Sequence, residues 1–126
     1  MTNKNDTSKA EQKKAHEKRG RRAEFWAAIY LRCKGYRILE RRFKSRGGEI
    51  DIIAYKNNLI AIVEVKARSN LDVARESVTR SSRKRIESAA RHYLNLHPQS
   101  YQMELRYDAI FILPGWRIIH EPAFWT

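Results

Sequence analysis

The chain has 126 residues, enough for one domain with a modest core, and its 26 Lys and Arg against 14 Asp and Glu give a net charge of +12. Cys33 is the only cysteine, which excludes an intrachain disulfide and a cysteine-built zinc cluster, and no apolar run reaches the roughly 18 residues of a membrane span. A basic domain of this kind, with three Trp, six Tyr and four Phe, suits anionic partners, nucleic acid above all.

Residues 1–19 are rich in Lys and almost free of large apolar side chains. They read as a basic, disordered N-terminal arm or a solvated, frayed helix, leaving residues 20–126 as the domain. The first 22 residues lack the apolar core of a secretory signal, and with the lone cysteine this predicts a cytoplasmic location. The stretch "RRAEFWAAIYLRCKGY" places Ala23, Trp26, Ala27, Tyr30 and Leu31 at helical spacing, with Gly35 as its stop. Glu24 sits at the edge of that apolar face.

Residues 36–43 read as a strand, "KSRGG" as a turn, and residues 47–66 as two strands joined at Asn57-Asn58, residues that tolerate the left-handed backbone of a tight hairpin. A two-residue loop pairs Ile50 with Val65, Ile52 with Val63 and Ala54 with Ala61, an apolar face. The opposite face then carries Ile53 against Ile62, Asp51 against Glu64, and Glu49 against Lys66. Residues 71–81 read as a loop with a short irregular turn. An amphipathic helix follows from Ser82, with Ile86, Ala89, Ala90, Tyr93 and Leu94 on one face and Pro98 as its end. Arg80, Arg83, Lys84 and Arg85 crowd its start, where the helix dipole disfavours cations, so they mark an anion-binding edge. Strands at 105–113 and 116–120 flank a Pro114-Gly115 turn, and Phe124 and Trp125 must be buried or form an interface. The order α β β β α β β gives an α/β fold, a central mixed sheet flanked by helices.

Charged side chains within strands are costly unless paired or bound to a cation. Directly opposed carboxylates sit about 4.5–5.5 Å apart at Cβ and repel unless one is protonated or a cation lies between. An Mg²⁺ ion held by one or two carboxylates resolves this, and a lysine beside it completes a set that can cut phosphodiesters. A plain ion-pair cluster of Glu49, Asp51, Glu64 and Lys66 would satisfy the spacing too.

Asp51, twelve further residues, then Glu64-Val65-Lys66 resembles the PD-(D/E)xK signature of restriction-endonuclease-like nucleases. More closely, "GRRAEFWAAIYLRCKGYRILERRF", "GGEIDIIA", "VEVKARS", "ESVTRSSRKRIESAARHYL" and "LRYDAIFI…HEPAFW" resemble the bacterial YraN family of small nuclease-like proteins. The resemblance implies a restriction-endonuclease-like core and a metal-dependent endonuclease acting on DNA, branched or single-stranded. It implies that Asp51 and Glu64 ligate Mg²⁺ or Mn²⁺ with the Val65 carbonyl, that Lys66 activates water, and that Glu24 completes the metal shell or holds Lys66. Arg80, Arg83, Lys84 and Arg85 would then hold backbone phosphates. A homodimer would suit a junction-cutting enzyme, and no membrane partner is expected. Two departures stand out: Ile50 precedes Asp51 where many nucleases have Pro, and Ala89 stands four residues before Tyr93 where some relatives carry Gln. The same fold could instead bind nucleic acid without cutting, or dock a partner through Phe124 and Trp125.

Elsewhere, His92 and His97 are at the wrong spacing for a metal pair and read as surface residues. His120 has no partner close in sequence, Asp108 can pair with Arg106 on the same face of its strand, and Cys33 has no activating neighbour.

Overall fold

A computed structural model describes residues 4–126; the first three residues of the expected arm lie outside it. Helix α1 runs over Lys4–Cys33, so the compositional boundary near Gly20 falls inside one helix. Ala23, Ala27, Ala28 and Leu31 are its buried stripe, whereas Trp26, counted in that stripe from its spacing, is 41% exposed. Gly35, at φ +91°, ends the helix: its N–H donates to the Arg32 carbonyl and that of Tyr36 to the Leu31 carbonyl, both at 3.0 Å.

Strands β1 (Arg37–Ser45), β2 (Gly48–Lys56) and β3 (Leu59–Ala67) form an antiparallel meander. Asn57 and Asn58 both adopt positive φ, making the expected tight hairpin, and Ile52 pairs with Val63, Ile53 with Ile62, and Ala54 with Ala61. The expected register holds this far and then stops. The pairs Ile50–Val65, Asp51–Glu64 and Glu49–Lys66 do not form, and Ile50 joins the core on the opposite face from Ile52. Successive strand residues alternate faces, so two residues of equal parity on opposite faces mean that β2 turns over at Asp51.

Beyond β3, α2 (Leu71–Glu76) occupies part of the expected loop; Asn70 starts it by accepting the Val73 N–H at 2.9 Å. Helix α3 (Arg80–Leu96) begins two residues before the expected start at Ser82, because the Thr79 hydroxyl accepts the Ser82 N–H at 3.1 Å. After a 3-10 turn at Pro98–Gln102 comes β4 (Glu104–Leu113), parallel to β3, and β5 (Arg117–Trp125), antiparallel to β4. The last strand therefore continues past His120 to Trp125. As the edge strand it tolerates Pro122, and its ladder shifts register opposite Tyr107 and Ala109.

The five strands lie in chain order in one mixed sheet, an arrangement consistent with a restriction-endonuclease-like core. The α1 stripe packs on Ile52, Ala54, Ala61, Val63, Val65, Ile110 and Ile112. On the other face α3 lays Ile86, Ala89, Ala90 and Tyr93 over Ile53, Ile60, Ile62 and Phe111. Covered on both sides, β3 reads as a nearly continuous apolar run, and Glu64 and Lys66 interrupt it only at its end. Among the described residues no helix is long and apolar enough to cross a membrane.

Candidate active site

The site lies where β2 leaves β3. There the Val65 N–H meets a side chain in place of a strand partner: it donates to Asp51 Oδ2 at 2.9 Å. In an antiparallel ladder one residue's N–H and C=O face the same neighbour. The Val65 carbonyl therefore faces the gap that the Asp51 carboxylate enters. Glu64, on the next position of β3, is buried, and its Oε1 lies 3.4 Å from Lys66 Nζ.

Two further elements close the site. From α1, buried Glu24 comes close enough to Asp51 for that carboxylate to raise the proton affinity of Glu24. Its Oε2 accepts from Arg42 Nε at 2.6 Å. Glu24 is thus held by Arg42 rather than holding Lys66, which pairs with Glu64. Arg42 lies in mid-strand at φ +55°, a conformation that costs an L-residue about 1–2 kcal/mol. From the other face, α3 brings Ser82 and Arg85 to a cavity of about 230 Å³ shared with Glu49, Asp51, Glu64, Lys66 and Ile86. Gly48 fixes that approach, since a Cβ there would lie 2.1 Å from the Arg85 carbonyl oxygen. The expected Glu49–Lys66 strand pair is replaced by this looser neighbourhood: Glu49 pairs across β1 with Lys44 and stays exposed at the cavity rim.

Burial, and then the Glu64 charge, push the Asp51 carboxyl well above the ordinary aspartate range, against the pull of the Val65 N–H and the Lys66 ammonium. Glu24 is raised as well, first by burial and then by the Asp51 charge, with Arg42 opposing. Among the described residues no three His, Cys, Asp or Glu side chains converge in ligand geometry. The donor set is instead two hard carboxylates and a strand carbonyl beside an open cavity. That fits Mg²⁺ or Mn²⁺, because Mg²⁺ binds through one or two carboxylates and keeps several waters. A cation there would replace the proton that burial and repulsion drive onto Asp51.

The four basic residues at the start of α3 divide. Arg85 lines the carboxylate cavity, whereas Arg80, Arg83 and Lys84 line a separate one of about 400 Å³ with Glu87, Phe124 and Trp125. The Arg83 guanidinium lies over the Phe124 and Trp125 rings, at 5.4 and 5.7 Å from their centroids. Asp108 does pair with Arg106, through two contacts of 2.7 Å, and His120, expected without a partner, also binds it at 2.9 Å. Lys34 Nζ lies 3.2 Å from His120 Nδ1. His92 is exposed as expected, while His97 is half-buried and stacked on Tyr93. Sequence reasoning missed Arg42 and Ser82. Nothing in "LERRF" signals Arg42, but Ser82 follows the capping Thr79 at the spacing of a helix start, a readable signal.

The family profile described as Uncharacterised protein family UPF0102 matches residues 23–112, a span that contains Glu24, Asp51, Glu64 and Lys66. A UPF0102 protein of Rhodopseudomonas palustris is 50% identical over 104 residues, covering 82% of this chain and 80% of that protein. One from Bartonella quintana is 48% identical over 119 residues, covering 94% and 97% respectively. One from Bradyrhizobium diazoefficiens is 52% identical over 92 residues, covering 73% and 69%.

Proposed function

The chain belongs to the UPF0102 family, which contains the YraN-like relatives of PD-(D/E)xK proteins, and from that premise we propose that it is a divalent-metal-dependent endonuclease of DNA. The observation that carries this reading is the gap between β2 and β3, where Asp51, Glu64 and Lys66 meet in a chain of charge +12. Carboxylates repel the polyanion that the rest of the molecule attracts, so their gathering at one spot fits a cation-bridged scissile phosphate.

Asp51, Glu64 and the Val65 carbonyl would hold Mg²⁺ or Mn²⁺. When bound, the metal supplies Lewis-acid activation of the phosphate and lowers the pKa of water. Lys66 places an ammonium beside the same carboxylate, where it orients the attacking water and balances charge gathering on the phosphate oxygens. Arg85 approaches from α3, and its guanidinium can fix a backbone phosphate beside Lys66, while the Ser82 hydroxyl donates to the Thr79 carbonyl and steadies the start of the helix. The Val65 N–H and the Glu24–Arg42 pair act one step back: they hold Asp51 and keep a third carboxylate at its side. In this proposal the residues from 20 onward form the nuclease domain, and the basic segment before them adds contacts to DNA phosphates.

The purified protein would be incubated with labelled single-strand, duplex, flap and four-way-junction DNA in Mg²⁺, Mn²⁺ or chelator, beside Lys66→Ala and Asp51→Ala. The expected result is metal-dependent cleavage that falls by at least about 10²-fold in both variants, the scale of removing a general acid–base group. Tight, chelator-insensitive binding with no cleavage of any substrate would instead favour a non-catalytic nucleic-acid-binding role on the same fold.

A further inference from the structure

Lys66 lines two cavities. One is the carboxylate site; the other is a larger groove of about 850 Å³ that runs from Val65 and Lys66 past Arg68 to Pro114 and Trp116. No acidic residue lines this groove among the described residues. At its far end Trp116 is 66% exposed, and Trp26, 41% exposed, meets it edge-on with ring centroids 5.7 Å apart. Phe25, 45% exposed, continues the row at 5.5 Å from Trp26, and the Arg41 guanidinium lies 5.9 Å from its ring centroid.

Folding alone does not account for this row. Trp116 occupies a turn position at φ +60°, a conformation unfavourable for a bulky L-residue, and gains little burial there. A glycine would fit the backbone better, and a polar side chain would suit the exposure. The aromatic patch is continuous with cationic side chains and, through Lys66, with the phosphodiester site. Exposed aromatic rings beside a positive groove are the means by which proteins hold single strands, because every unpaired base offers a π-face and a duplex hides it.

We propose that this groove binds an unpaired strand of nucleic acid, with bases stacking on Trp116 and Trp26 and the backbone led across Arg68 to Lys66. The proposal rests on the nuclease reading and narrows its substrate to DNA with unpaired bases next to the cut. Trp116 lies outside residues 23–112, the span that the family profile matches, whereas Trp26, Lys66 and Arg68 lie inside it, so the platform draws on both parts of the chain.

Binding in chelator tests it without calling on catalysis. Fluorescein-labelled oligothymidylate and a blunt duplex would be titrated into wild type, Trp26→Ala, Trp116→Ala and Trp116→Phe while anisotropy and tryptophan emission are followed. Wild type should bind the single strand with quenching of emission. Each alanine variant should lose about tenfold in single-strand affinity and less than about twofold on the duplex, while Trp116→Phe, which keeps a stacking ring, retains most of the affinity. Equal losses on both ligands, or none on either, would overturn the platform and leave the nuclease reading standing. Wild type binding neither ligand would overturn the platform, and cleavage in Mg²⁺ would then decide the nuclease reading on its own. A platform that captures a protein instead would show as an unchanged single-strand affinity in Trp116→Ala, which also overturns the proposal.

Discussion

Asp51 does two things at once: it accepts the Val65 N–H, and it sits beside Glu64 with a proton affinity raised by burial and by that neighbour's charge. An acid whose pKa is higher in the folded than in the unfolded chain stabilises the fold fully below its unfolded value, near 4, and this contribution is lost as pH rises through the folded value. At neutral pH, without metal, Asp51 therefore works against folding. Asp51→Asn keeps an acceptor oxygen for Val65 and removes the charge. It should be more stable than wild type in chelator at neutral pH, and the gap should close near pH 4. Thermal melts across pH check this, and added Mg²⁺ should raise the wild-type midpoint while leaving that of the variant in place. The reason Asp51, Glu64 and Lys66 were legible in the sequence is the same energetic conflict: charge placed within an apolar alternation is costly and announces itself. Arg42 was not legible, because a left-handed residue inside a strand leaves no mark on hydrophobic periodicity.

Between elements, the tie that binds β5 to β4 is an ionic cluster about a fully buried carboxylate. Burial pushes Asp108 up, yet hydrogen bonds from His120, Arg106 and the Ala123 N–H outweigh it and draw the pKa below the ordinary value. The sign is opposite to that of Asp51: this stabilisation is present above the unfolded pKa near 4 and lost as pH falls through the folded value. Asp108→Ala leaves His120 and the Ala123 amide without their acceptor and Arg106 with Tyr36 alone, and should cost about 3–5 kcal/mol at neutral pH, with a smaller loss in acid. Urea denaturation at two pH values reads both. The strands, the hairpin and the Gly35 stop could be read from sequence because each has a local cause, in alternation or in a residue suited to positive φ. Helix α2 and the second half of β5 could not. The first is six residues long and depends on one Asn cap, and the second carries a Pro that only an edge position tolerates.

For the molecule as a whole, the sign of the charge was plain from composition, but its placement depends on how α3 is rolled on the sheet. Arg85 turns to the carboxylates while Arg80 and Lys84 turn to Phe124 and Trp125. These positions should separate in DNA binding. An Arg80→Ala, Lys84→Ala double variant should flatten the slope of log affinity against log salt by roughly 1–2, about 0.9 for each duplex phosphate contact removed. Arg85→Ala should chiefly slow cleavage at saturating DNA. Anisotropy across a salt series and single-turnover cleavage distinguish the two effects. The interrupted β2–β3 ladder also constrains how such a protein can drift. Because the carboxylate proposed to ligate metal also satisfies a strand amide, position 51 would keep an oxygen acceptor even in a relative that cuts nothing. Lys66 has a second duty of another kind, since it pairs with Glu64 and lines the neighbouring groove, so a descendant that only binds nucleic acid would have cause to keep the lysine for its charge and the aspartate for its hydrogen bond.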